Sequence, residues 1–101
     1  MSTISAFSMG ALYLSAGIHL ACSEHDRFHH FIMHCIHRHH SCDWGELDPE
    51  DFATNQSALS SGGRLCSCYD VPADLGSSLY RVWVITEHDR SATTILLPEE
   101  Y

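Results

Sequence analysis

The sequence predicts a single α+β domain over residues 1–101, in which two to three N-terminal helices pack on a small antiparallel β-sheet of three to four strands that ends in a C-terminal meander. Three observations carry this. Apolar residues recur at three- and four-residue steps in the first part of the chain, the period changes to two from Arg64 onward, and 101 residues leave room for one core.

Residues 11–14 form a short apolar run closed by Ser15, an N-cap type, so a strand is expected to lead into a helix over 16–22. Ser23, three residues before Asp26, gives a second, weaker cap. From there Phe28, Phe31, Ile32, Cys35, Ile36 and His39 define one face of an amphipathic helix over residues 24–40. Asp43, Trp44, Gly45, Glu46 and Leu47 break the period, so a structured loop is expected there, with Trp44 an anchor against the core. Asp48, Pro49, Glu50 and Asp51 then read as a helix start, because a carboxylate accepts from free N–H groups and acids complement the helix dipole. Phe52, Leu59 and Gln56 are expected to face inward, and Gly62 and Gly63 to end that helix. Strands are expected over 64–69, 80–86 and 92–97, joined by turns at 71–77 and 87–90, with one face of the sheet under the helices and the other free for a partner.

Composition narrows the function. Thirteen Asp and Glu stand against five Arg and no Lys, a formal charge of −8. No basic stripe to neutralise phosphates can be assembled from Arg27, Arg38, Arg64, Arg81 and Arg90, which argues against direct nucleic-acid binding. The same charge suits a protein partner with a basic surface, although net charge also serves solubility alone. Five cysteines are an odd count, and residues 4–22 are too interrupted for a signal peptide or a membrane span. Reduced thiols, a cytoplasmic location and no membrane association are therefore expected.

Seven histidines, His25, His29, His30, His34, His37, His39 and His40, lie within residues 25–40. On a helix His30, His34 and His37 share one polar stripe, where imidazoles four residues apart hold Zn, Ni or Cu, and Cys42, or more remotely Cys66 and Cys68, would add a soft ligand. The plainer alternatives are a solvated helix face or a surface that charges below about pH 6.5. Cys66-x-Cys68 lacks the spacing of zinc ribbons, and a strand would turn both thiols to one face as small hydrophobes. No nucleophile elbow surrounds a cysteine, and Gly62-Gly63 follows a helix rather than preceding one, which is the wrong order for a phosphate loop.

Two polar clusters remain. Asp43, Glu46, Asp48, Glu50 and Asp51, beside Trp44, form an acidic edge able to meet a basic groove, against which helix capping explains Asp48, Glu50 and Asp51. Glu87, Asp89 and Arg90 sit in a dense polar turn over residues 86–94, where Arg90 is expected to pair with Glu87 or Asp89, as a turn lock or as a partner or ligand contact.

The pieces Asp43-Trp44-Gly45-Glu46-Leu47, Asp51, Asn55, Gly62-Gly63-Arg64, Ser67 and Tyr69, then Trp83 to Glu87, Asp89-Arg90-Ser91, Thr93 to Pro98 and Tyr101 follow one another in a specific order. Together they resemble a family of small uncharacterised proteins encoded on bacterial plasmids, integrated elements and phages. The resemblance covers residues 38–101, and more loosely Phe7, Gly10 and Ser15-Ala16-Gly17; it implies a context and carries no activity. Cys42 stands where the family usually has Gly, His88 replaces a small residue, and the helix before Asp43 is longer and richer in His, so a metal site would be peculiar to this chain. Small acidic proteins of mobile elements are often inhibitors or decoys, anti-CRISPR proteins among them. The leading expectation is therefore a non-enzymatic binding protein of that class, with a metal-binding protein and a small enzyme as alternatives. A wet sheet face or the exposed helix would also suit a homodimer.

Overall fold

The computed structural model describes residues 6–75 and 78–101. In chain order the elements are β1 (Ala11–Leu14), α1 (Ala16–Glu24), α2 (Asp26–His40), α3 (Pro49–Ser61), β2 (Leu65–Asp70), β3 (Arg81–Thr86) and β4 (Ala92–Leu96), with 3-10 turns at Ala73–Leu75 and Pro98–Glu100. Ile4 and Ser5 of the apolar N-terminal stretch, and residues 76 and 77 of the turn expected over 71–77, lie outside the described residues.

The sheet order is β1-β4-β3-β2. β2, β3 and β4 form the expected antiparallel meander, and β1 adds to β4 in parallel, with Ala11 opposite Ala92 and Leu14 opposite Ile95, so the sheet is mixed. That parallel edge is possible because α1 and α2 supply the long crossover a parallel strand needs. Gly10, at φ +62, makes the approach: a Cβ there would lie 2.3 Å from the Ser91 carbonyl oxygen.

Alternation sorts the strands into two faces. Ser67, Tyr69, Val82, Val84, Ile95 and Leu97 are buried on the face that meets Ile18 and Ala21 of α1 and Phe28, Ile32 and Cys35 of α2. A second cluster of Phe7, Trp44, Ala58 and Leu65 closes the far end.

The caps follow the sequence in part. Ser15 Oγ accepts from Ile18 N at 3.2 Å, and Asp48 Oδ1 accepts from Asp51 N at 2.8 Å. α1 has no acid in its own first turn, and Glu100 from the C-terminus supplies one, accepting from Gly17 N at 2.9 Å and from Ser15 Oγ at 2.5 Å. Ser23 does not cap α2: its hydroxyl donates back to the Leu20 carbonyl, and the helix starts two residues later than that cap requires, with His25 at the N-cap. α2 ends in a Schellman motif, Asp43 N donating to Arg38 O at 2.8 Å and Cys42 N to His39 O at 3.0 Å. The left-handed residue of that motif is Cys42, at φ 63, a conformation that explains why glycine suits this position.

Candidate functional site

β2 is an edge strand, and its outward backbone groups at Cys66 and Cys68 and the outward N–H of Asp70 are engaged. The Asn55 side chain donates to Cys66 O at 2.7 Å and accepts from Cys66 N at 3.1 Å, imitating a neighbouring strand. Two residues on, Cys68 N donates to Trp44 O at 3.1 Å and Glu46 N donates to Cys68 O at 2.7 Å. Two further on, Asp70 N donates to Glu46 Oε2 at 3.0 Å. Gly45, at φ +76, is what lets the loop come so close, since a Cβ there would sit 2.0 Å from the Cys68 oxygen. These ties correct the inward face expected of α3. The helix lies along the sheet edge rather than over the core, so Asn55 and Ala58 are buried, Leu59 is half-buried, and Phe52 and Gln56 are exposed.

The arrangement raises a wall beside the sheet face that α1 and α2 leave uncovered. Between wall and sheet runs a groove of about 520 Å³, a volume in the ordinary range for ligand sites. Its floor is Cys66, Cys68, Trp83 and Ile85, one wall carries Glu46, Asp48 and Asp51, and Arg64, Arg81 and Tyr101 also line it. Trp83 and Tyr101 meet edge to face with centroids 5.3 Å apart, and the Arg64 guanidinium lies 5.3 Å from the Tyr101 centroid. Arg81 is held by Asp70 at 3.0 Å. The floor was foreshadowed by period-two alternation, Arg64-x-Cys66-x-Cys68 and Arg81-x-Trp83-x-Ile85, but the sequence alone does not say which face the helices leave open.

The acidic stretch divides. Glu46, Asp48 and Asp51 line the groove, and Glu50 is exposed on the outer side of α3. Asp43 instead forms a two-bond pair with Arg38 at 2.8 and 3.1 Å, which holds its carboxyl below the usual range. Trp44 is 1% exposed, with its indole N–H on Gln56 Oε1 at 2.9 Å, so it is the anchor and not an exposed contact.

The turn residues are spent on the turn. Arg90 does not pair with Glu87 or Asp89 side chains; its guanidinium donates to the Gly63, Ala58, Glu87 and His88 carbonyls at 2.5, 3.0, 3.2 and 3.5 Å, tying the β3–β4 hairpin to the end of α3. A left-handed residue closing the turn is a common solution for hairpin loops longer than two residues, and Arg90 takes it at φ 62. The Asp89 carboxylate accepts from Ser91 N and Oγ.

His30, His34 and His37 are exposed along α2. Cys42 packs against the Phe7–Trp44 cluster, and among the described residues no group of three or more His, Cys, Asp or Glu is placed to hold a metal. Burial raises all five thiols above their ordinary value, Cys35 to about 12, so none has the depressed pKa of a reactive cysteine.

His39 alone among the histidines is buried, where it joins the two core clusters between Phe7 and Trp44, both 5.5 Å away by centroid. Its proton is fixed by a chain of bonds that ends on an acceptor. Thr93 Oγ1 donates to the Met9 carbonyl at 2.8 Å, so it must accept from Thr86 Oγ1 at 2.7 Å, and Thr86 in turn must accept from His39 Nε2 at 2.9 Å. Nδ1 therefore bears the lone pair and accepts from Ser67 Oγ. Desolvation, then the neighbouring His40, lowers the imidazole to about 4, and the ring is neutral at pH 7. The Ser67–His39 contact is fully buried, which makes it a structural bond and not a nucleophile with its base.

No protein-family model, no curated protein and no solved structure matches this chain. Among the described residues no helix is long and apolar enough to cross a membrane.

Proposed function

We propose that this chain is a non-enzymatic binding protein that takes a basic, partly apolar segment of a partner protein into the groove over the open sheet face. In the setting its sequence resemblance implies, it acts as an inhibitor or decoy that occupies a surface meant for nucleic acid. One observation carries the proposal: an acidic wall of Glu46, Asp48 and Asp51 stands over an aromatic and thiol floor, the polar and apolar halves that recognition of an arginine-rich strand requires.

The test is a titration with an arginine-rich peptide containing one aromatic residue, followed by tryptophan fluorescence. Trp44 is buried, so the response belongs to Trp83, and Trp83→Phe should abolish it. Binding is expected to saturate, to weaken with salt, and to fall about fivefold to tenfold in Glu46→Gln/Asp51→Asn, two residues of the groove wall. Affinity unchanged by salt or by that double substitution would refute the proposal.

A further inference from the structure

The two edges of the sheet are treated differently. β2 is closed by Asn55, Trp44 and Glu46, whereas nothing among the described residues pairs with the free side of β1. Ala11 N donates to Ser91 O at 3.0 Å and Ser15 N to Ile95 O at 2.9 Å, so odd-numbered residues face β4 and the N–H and C=O groups of Leu12 and Leu14 point outward. Leu12, Tyr13 and Leu14 are 49%, 56% and 39% exposed, and Leu20 on α1 is 59% exposed. The edge is short, four residues, but it carries no Lys, no Pro and no inward charge. Residues 1–23 contain no Asp, Glu, Lys or Arg at all, in a chain of charge −8.

We infer that the free edge of β1 is a self-association surface, on which a second copy of this chain adds its own β1 antiparallel about a two-fold axis at Tyr13. In that register Leu12 of one copy exchanges both backbone bonds with Leu14 of the other, and the reverse, so every outward group of the edge is satisfied and two four-stranded sheets become one. Charge selects this occupant. Two molecules of charge −8 repel wherever acids face each other, and the N-terminal quarter brings no carboxylate of its own to the contact, the one placed against it, Glu100, being held by Ser15 and Gly17; a basic partner finds more to attract it in the groove. The inference stands apart from the function proposed above, and salt separates the two. Screening weakens capture of a basic segment but strengthens association of two like-charged molecules through an uncharged edge.

Sedimentation equilibrium from micromolar to submillimolar protein, at low salt and at about 0.5 M NaCl, tests it. The expected result is a monomer–dimer equilibrium that tightens with salt and weakens at least about tenfold in Leu12→Pro and Leu14→Lys, with unchanged far-UV circular dichroism. Proline suits position 12 because the N–H it removes is one the monomer leaves unused. Hydrogen exchange of the unsubstituted protein supplies a readout that survives misfolded variants: the Leu12 and Leu14 amides should gain protection as concentration rises. A monomer at every concentration, a dimer indifferent to both substitutions, or amide protection in a monomer, which would place the chain's own residues 1–5 on the edge, would each overturn it.

Discussion

His39 is the residue on which acid stability turns. Its folded value is about 4 against 6.5 in the unfolded chain, so the unfolded state binds the proton more tightly, and the stability this group supports is complete above pH 6.5 and drains away as pH falls towards 4. At pH 5 the loss relative to pH 7.5 is about 2 kcal/mol. Asp43, Asp89 and Glu100, whose carboxyls are held below their ordinary values of 3.8, 3.8 and 4.5 by hydrogen bonds, lose their contributions as pH falls through and below those values, from the lower end of this window downward. Urea midpoints at pH 7.5 and 5 should therefore differ, and the part due to this group should vanish in His39→Gln; an equal slope in both proteins would contradict the burial argument. That His39 belongs to the core was legible from its place on the apolar stripe of α2. Its partners were not, because Ser67, Thr86 and Thr93 lie in three strands that only the register brings together. Cys42 offers a second check. Its left-handed backbone favours glycine, so Cys42→Gly should be neutral or stabilising by up to about 1 kcal/mol, while β-branched Cys42→Val should destabilise by about 2 kcal/mol.

At the scale of elements, the periods of 3.6 and 2 told helix from strand, and they placed α2 and the three-stranded meander close to where they lie. α3 begins and ends where its caps predict, and only its inward face differs, for a physical reason. A helix that covers a core spends its apolar residues inward, but one that closes a strand edge needs an amide at the contact, and Asn55 takes the place expected of Phe52. Asn55→Leu should leave the Cys66 N–H and C=O unpaired and destabilise the domain by about 2 kcal/mol, measured by chemical denaturation at pH 7.5. The loop works to the same end through the close approach of its backbone at Gly45. β1 was legible as a strand but not as a parallel partner of β4, since that pairing rests on a crossover and on Gly10 rather than on any pattern within its own four residues. Arg90 shows the same limit. Its turn was evident, but its four carbonyl partners come from the end of α3 and from the turn backbone, and Arg90→Ala should destabilise more than Arg90→Gly, by about 1 kcal/mol, because glycine relieves the left-handed backbone that alanine keeps.

Across the whole molecule, charge is distributed so that the two proposed surfaces should answer salt oppositely. The acids begin at Glu24, and the groove takes Glu46, Asp48 and Asp51 to one side of the sheet, while β1, with its outward Leu12 and Leu14, forms the sheet's far edge. In the sheet order, β2 beside the groove and β1 at the free edge are separated by β3 and β4, so a molecule paired through β1 keeps both grooves open. Occupancy of one surface should then leave the other unchanged. Titrating the arginine-rich peptide into protein held above and below its self-association midpoint should give the same affinity per protomer, and Leu12→Pro should bind peptide as the unsubstituted protein does. An affinity that rises with self-association would mean instead that the groove is completed across the dimer, since linkage requires any such coupling to be reciprocal, and the peptide would then have to tighten the dimer by the same factor.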